Sequence, residues 1–243
     1  MFQISFNQKG FTLIELTFSM AIMLTVATAS YILLTTFHHH YRLQEAMAEM
    51  QQQARVSEDL IFREVLQTGY DPTGNLFEPL LNKKTRGTSR VGCDTTLPKG
   101  AEPILEATPV AFHFLTDLNE NGSVDQGVDI DEDIRYEWVG ESGIDSCGIK
   151  KAPFTLYRDT GGGAHGQEVS VNVDEFVLTY FDEKGGSFPP VALTSEARAG
   201  IRKVVATFRV RSAWRSDTKD PNDQADGGFR TRRIVREIGL KNR

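Results

Sequence analysis

Two hydrophobic periods divide the chain. From Phe11 to Thr68 no glycine or proline interrupts the sequence, and the spacing of apolar residues is helical. Leu16 to Tyr41 runs 26 residues without a formal charge when the histidines are neutral. A helix over Phe11–Phe37 would be about 40 Å long, enough to cross a hydrocarbon core. Beyond it, Leu43, Met47, Met50, Ala54, Leu60, Ile61 and Val65 keep near one helical face while Glu45, Glu49, Gln52, Arg55, Glu58 and Arg63 fall elsewhere. The pattern therefore predicts one continuous helix of about 85 Å, ended by Gly69, Asp71-Pro72 and Gly74. His38-His39-His40 point in three directions on such a helix and read as a polar collar where it leaves the apolar zone.

After a stretch at 71–107 rich in Gly, Pro, Thr, Asn and Lys, read as a loop, the period changes to two. Strands are predicted at Val110–Leu115, Ile134–Val139, Phe154–Arg158, Val169–Val173, Phe176–Phe181, Val204–Trp214 and Phe229–Leu240. The run Arg202–Val210 alternates as a sheet with one face in water does, and His113, between Phe112 and Phe114, is expected on such an exposed face. The fold class is α+β: a long N-terminal helix, transmembrane then amphipathic, packed on a mostly antiparallel β head.

Composition changes this picture in one place. The formal charge is −6, but Asp117 to Asp133 holds seven acidic residues and no basic one, while Arg198 to the end carries thirteen basic against five acidic. A net acidic chain is not a generic nucleic-acid binder. Within the acidic stretch, Asp117-Leu118-Asn119-Glu120-Asn121-Gly122-Ser123-Val124-Asp125 has the alternating oxygen ligands and central glycine of a calcium loop. Ser123 would offer its carbonyl and Asp125 would bind directly or through water. The twelfth position is Val128, so Asp129, Asp131 or Asp133 would have to supply the last ligand. Strands rather than helices flank the loop, and an ordinary solvated Asp/Asn/Gly turn is the other reading. With an incomplete ligand set, a calcium (Ca2+) affinity of about 10⁻⁴–10⁻³ M is expected. The oxygen-rich stretch 217–228 fits no ligand spacing and reads as a loop.

Glu15 lies inside the apolar run, where a carboxylate costs on the order of 2.5–3.5 kcal/mol and needs a partner. A cut after Gly10 would place the ammonium of Phe11 one turn before it, where the helix dipole also helps. Lys9-Gly10-Phe11-Thr12-Leu13-Ile14-Glu15-Leu16 resembles the processing motif of type IV prepilins and type II secretion pseudopilins. The resemblance implies a membrane peptidase that cuts between Gly10 and Phe11 and methylates Phe11, with Glu15 registering subunits during assembly. It implies a leader at 1–10, an assembly helix at 11–37, its amphipathic continuation at 38–69 and a periplasmic or extracellular head at 70–243. The implied partners are other pilins or pseudopilins, the prepilin peptidase, an inner-membrane assembly platform, and the bacterial inner membrane before assembly. The β-rich head with an Asp/Asn/Gly hairpin and the C-terminal pattern Arg232–Arg243 resemble W-type minor pilins, with a J-type pseudopilin as the alternative and a calcium-dependent adhesive tip module as a reading of another class.

Cys93 and Cys147 are the only cysteines and enclose the acidic stretch. They are either unrelated thiols or, in the oxidising compartment that the resemblance implies, a bridge across 93–147 adding roughly 4 kcal/mol by loop closure. No nucleophile elbow, phosphate loop or zinc-protease motif is present, so an enzyme is not expected.

Overall fold

The computed structural model describes residues 10–74, 77, 102–122, 132–160, 166–215 and 228–241. Helix α1 spans Leu13–Leu66, close to the expected range. Its start is capped by Thr12, and its end tightens into i→i−3 bonds from the amides of Gln67 and Thr68 before Gly69 turns at φ 73°. The chain divides into two units, residues up to Ala46 and residues from Met47.

In the first unit the helix is long and apolar enough to cross a membrane, and its apolar window is wholly unburied. Its hydroxyls fold back on the backbone, as an apolar solvent requires: Thr17 donates to Ile14 O at 2.9 Å, Ser19 to Glu15 O at 2.8 Å and Thr28 to Leu24 O at 2.8 Å.

In the second unit, Met50, Ala54, Ser57, Ile61 and Val65 form the buried face of the helix, at steps of three and four. Two antiparallel sheets receive it. The first has five strands in chain order: β1 (Ile104–Ala107), β2 (Ala111–Leu115), β3 (Asp133–Val139), β4 (Thr155–Asp159) and β5 (Gln167–Ser170). The second holds β6 (Val173–Phe181), β7 (Lys203–Arg215) and β8 (Phe229–Gly239), again in chain order. A short helix α2 (Ser195–Ala199), capped by Thr194, precedes β7. Phe112, Phe114, Ile134, Tyr136 and Leu156 from the first sheet join Phe176, Tyr180, Val204, Phe208 and Ile238 from the second in one core with the helical face. Alternation in β6 and β7 is as expected of a sheet wet on one side.

Three expectations are corrected. Residues 104–107, read as loop, form strand β1, and α2 was not foreseen. The strand expected at Val169–Val173 ends at Ser170, and β6 begins at Val173 instead of Phe176. Every residue of β2 is buried, His113 included, so the first sheet has no wet face there. His113 Nε2 lies 2.5 Å from Asp133 Oδ1 across the β2–β3 pair. On the same face, Arg135 lies opposite His113 and reaches Glu106 Oε2 at 2.8 Å and Glu137 Oε2 at 2.6 Å.

Candidate processing and assembly site

The N-terminus is built by two local rules. A helix leaves its first amides unsatisfied, and a Thr followed three residues later by Glu can satisfy two of them reciprocally. Thr12 and Glu15 do so. The Glu15 amide donates to Thr12 Oγ1 at 3.3 Å, while the Thr12 amide and hydroxyl donate to Glu15 Oε2 at 3.3 and 3.2 Å. The carboxylate is thereby folded back over the positive end of the helix. Sequence reasoning singled out Glu15 but passed over Thr12, although the capping-box spacing was visible in the motif. Immediately before the cap the backbone is open. Phe11 is 88% exposed, and a Cβ added at Gly10 would meet nothing within 4 Å. Among the described residues nothing covers the Gly10–Phe11 backbone, and the Glu15 carboxylate lies one helical turn beyond it.

This segment matches a known family description. The chain carries a prokaryotic N-terminal methylation motif. The match covers residues 5–31, so it includes Gly10, Phe11 and Glu15 and the first turns of the apolar helix. Such a motif followed by such a helix fits single-pass membrane anchoring. No curated protein matches the chain. Among solved structures, a type IV-like pilin from Thermus thermophilus is similar at 10% identity and a TM-score of 0.38, over 79% of this chain and 97% of that one.

The acidic loop is described in part. Asp117 is fully buried and accepts at both oxygens, from the Asn121 amide at 3.1 Å and the Gly122 amide at 2.9 Å. Asn119 Oδ1 also accepts from the Asn121 amide, at 2.9 Å. Glu120 and Gly122 both take positive φ, 63° and 75°, which lets the chain turn this sharply. Glu132, which the ligand pattern did not include, accepts the Leu118 and Asn119 amides at 2.9 and 3.0 Å and clips the loop to the start of β3. Glu120 accepts from the Tyr70 hydroxyl at 3.2 Å, and this bond and its charge push the phenol above its ordinary value.

The structure thus brings Asp117, Asn119 and Asn121 together. Asp133 instead sits on β3 against His113. Ser123, Asp125, Asp129 and Asp131 lie outside the described residues. Among the described residues no group of three or more His, Cys, Asp or Glu is placed to hold a metal.

Cys147 is disulfide-bonded, and Cys93 lies outside the described residues. Around Cys147 the backbone is pinned by Asp145, whose Oδ1 accepts the Cys147 amide at 2.9 Å and the Ile149 amide at 2.8 Å. Burial alone would raise the Asp145 carboxyl, but these amides and Lys151 outweigh it and hold it below its ordinary range.

Proposed function

We propose that this chain is a structural minor pilin. In this reading it enters the bacterial inner membrane by its apolar helix, is cut by a prepilin peptidase between Gly10 and Phe11, and is methylated at Phe11. It then joins a type IV pilus as an initiating or tip-proximal subunit, packing residues 11–37 among the helices of other pilins on the assembly platform. The observation that carries the reading is the pairing of an open Gly10–Phe11 bond with Glu15 held over the helix start by Thr12. Hydrolysis there leaves an ammonium on Phe11 within reach of a carboxylate already oriented toward the N-terminus. A neighbouring subunit's ammonium could be received in the same way.

N-terminal sequencing and mass measurement of the mature protein are expected to show a start at methylated Phe11; any other start ends the proposal. Glu15→Ala is expected to leave membrane insertion intact and to impair assembly, scored by the amount of this subunit in sheared filaments. Deleting the gene and scoring surface pili and secreted proteins separately distinguishes the branches. Loss of pili alone favours the pilus, and failed outer-membrane secretion favours a J-type pseudopilin.

Calcium in the head is the second part of the reading. It is supported by the seven acidic residues of 117–133, a stretch with no basic residue, and by a turn that gathers Asp117, Asn119 and Asn121. These would bind the ion with the Ser123 carbonyl, Asp125, and Asp129 or Asp131. At free calcium ten to a hundred times the Kd, ligand linkage stabilises by about 1.4–2.7 kcal/mol, read as a rise in Tm over a chelator control. Asp117→Ala should abolish that rise. Because Asp117 caps its own turn, the variant should also melt lower in chelator alone, so the calcium increment, and not the absolute Tm, decides. Equal wild-type Tm with calcium and with chelator retires the metal.

A further inference from the structure

A membrane helix leaves the hydrocarbon at a definite level, and the side chains there meet lipid headgroups. Residues 16–37 of α1 carry no formal charge. They span about 33 Å, close to the roughly 30 Å of a hydrocarbon core. With that stretch across the core, Glu15 stands at one surface and His38 at the other. Tyr41, 66% exposed, and Arg42 follow, an amphipathic ring and a cation of the kind that anchors a helix at the interface. Between the apolar stretch and these anchors lie His38, His39 and His40, all helical and all exposed. At about 100° per residue they sweep about 200° of the helix surface, so a neighbouring helix on one side leaves an imidazole facing lipid on another.

We propose that His38, His39 and His40 clasp the phosphates of anionic phospholipids where α1 leaves the bilayer, and that acidification tightens the contact. Histidine is the residue type that changes charge between about pH 5 and 8, so the collar gains charge as pH falls through that range. When neutral it offers ring N–H donors beside one cation, Arg42, which lies one turn beyond His38. When protonated, residues 38–42 hold four cations and no acid. The nearest acid on the water side is Glu45, two turns from His38 on the same side of the helix. The ring centroids of His39 and His40 are 6.2 Å apart, so two charged imidazoles repel, and an anion between them offsets the repulsion. A phosphate supplies that charge and accepts the ring N–H donors. The cations favour anionic over zwitterionic lipid, and their level on the helix favours a headgroup over a soluble anion. Any route out of the bilayer gives up these contacts, so acid conditions favour the membrane-bound chain. The proposal rests on the membrane reading of the helix and is independent of the calcium loop and of the type of filament.

The test uses the full chain reconstituted in bilayers, with spin-labelled phosphatidylglycerol and spin-labelled phosphatidylcholine as probes. The quantity read is the preference of motion-restricted lipid at the protein surface for phosphatidylglycerol over phosphatidylcholine, at pH 8 and at pH 5. Each cation held at an anionic surface strengthens the attraction about fivefold, so the preference should rise at least about threefold from pH 8 to pH 5. The variant His38→Gln/His39→Gln/His40→Gln should keep the restricted lipid, because glutamine sustains a helix, and should lose the rise. Arg42→Gln should lower the preference at both pH values and keep the rise. A preference that does not change with pH overturns the proposal. So does a rise that persists in the triple variant, which would belong to carboxylates such as Glu15 or Glu45. A rise seen only where the chain self-associates would make the collar's partner a second copy, against the proposal. Absence of motion-restricted lipid at both pH values would refute the membrane reading, and the proposal with it.

Discussion

Replacing Glu64 by alanine is expected to lower the unfolding free energy by about 3–5 kcal/mol, the scale for breaking a buried ion pair by removing one partner. Glu64 lies on α1, Arg158 on β4 and Tyr136 on β3, so one carboxylate joins three elements. Arg158 grips it with both arms, Nε to Oε2 at 2.9 Å and Nη2 to Oε1 at 2.8 Å, and the Tyr136 hydroxyl donates to Oε2 at 2.5 Å. The side chains of Arg158 and Glu64 are only 12% and 14% exposed. Screening by water, which reduces surface pairs to about 0–1 kcal/mol, is therefore weak here. Tyr136 is buried, and burial first, then the Glu64 charge, pushes its phenol well above the ordinary range. Alanine at 64 would remove the acceptor that Arg158 and Tyr136 share. The double variant Glu64→Leu/Arg158→Met should recover most of the loss, because well-packed apolar residues often replace a buried pair without cost. Denaturant unfolding of the full chain in detergent measures both. A loss under about 1 kcal/mol for the single variant would show that the pair behaves as a solvated one.

What the sequence made legible was local. The helix range, the motif at Gly10–Glu15 and seven of the eight strands followed from period and breakers, since each is written in consecutive residues. Strand β1 was missed because Ile104–Ala107 has four residues, too few for alternation to stand out from the loop before it. At five residues, α2 completes little more than one turn and shows no helical period. His113 was misplaced for a different reason. Alternation with Phe112 and Phe114 says that His113 faces the other way, but not whether water or a second buried layer lies there. Glu106, Arg135 and Glu137 share that face, and their pairing depends on strand register, which composition does not specify. Glu64 illustrates the same limit: its partner is 94 residues away. The acidic loop was half legible. The turn at Asp117–Gly122 forms as the spacing suggests, while Asp133 is engaged by a histidine that no local pattern connected to it.

Arg135→Met should be about 3–5 kcal/mol less stable than wild type near pH 7, and that difference should shrink on acidification. Arg135 is buried between Glu106 and Glu137 and also reaches Ser146 Oγ at 3.0 Å. Burial alone would raise the Glu137 carboxyl. The Arg135 hydrogen bond and charge, with the Ser146 amide at 2.7 Å, outweigh burial and hold it below its ordinary value of 4.5. A group lowered on folding contributes stability that is present above its unfolded pKa and lost as pH falls through the folded one. Wild type should therefore lose stability on acidification below about pH 4.5, with Asp145, also lowered, adding to the fall. Methionine at 135 removes both the hydrogen bond and the positive charge that hold Glu137 ionised. Burial then dominates, the folded pKa of Glu137 moves up, and protonation relieves the buried charge instead of breaking a pair. The variant should thus gain stability relative to wild type between pH 7 and pH 4, and adding Glu137→Gln, which keeps an acceptor for the Ser146 amide, should restore part of the loss at pH 7, the Glu106 bond to Arg135 remaining lost. Denaturant midpoints at several pH values read this directly. Parallel wild-type and variant profiles would mean that Arg135 packs against Glu137 without setting its charge.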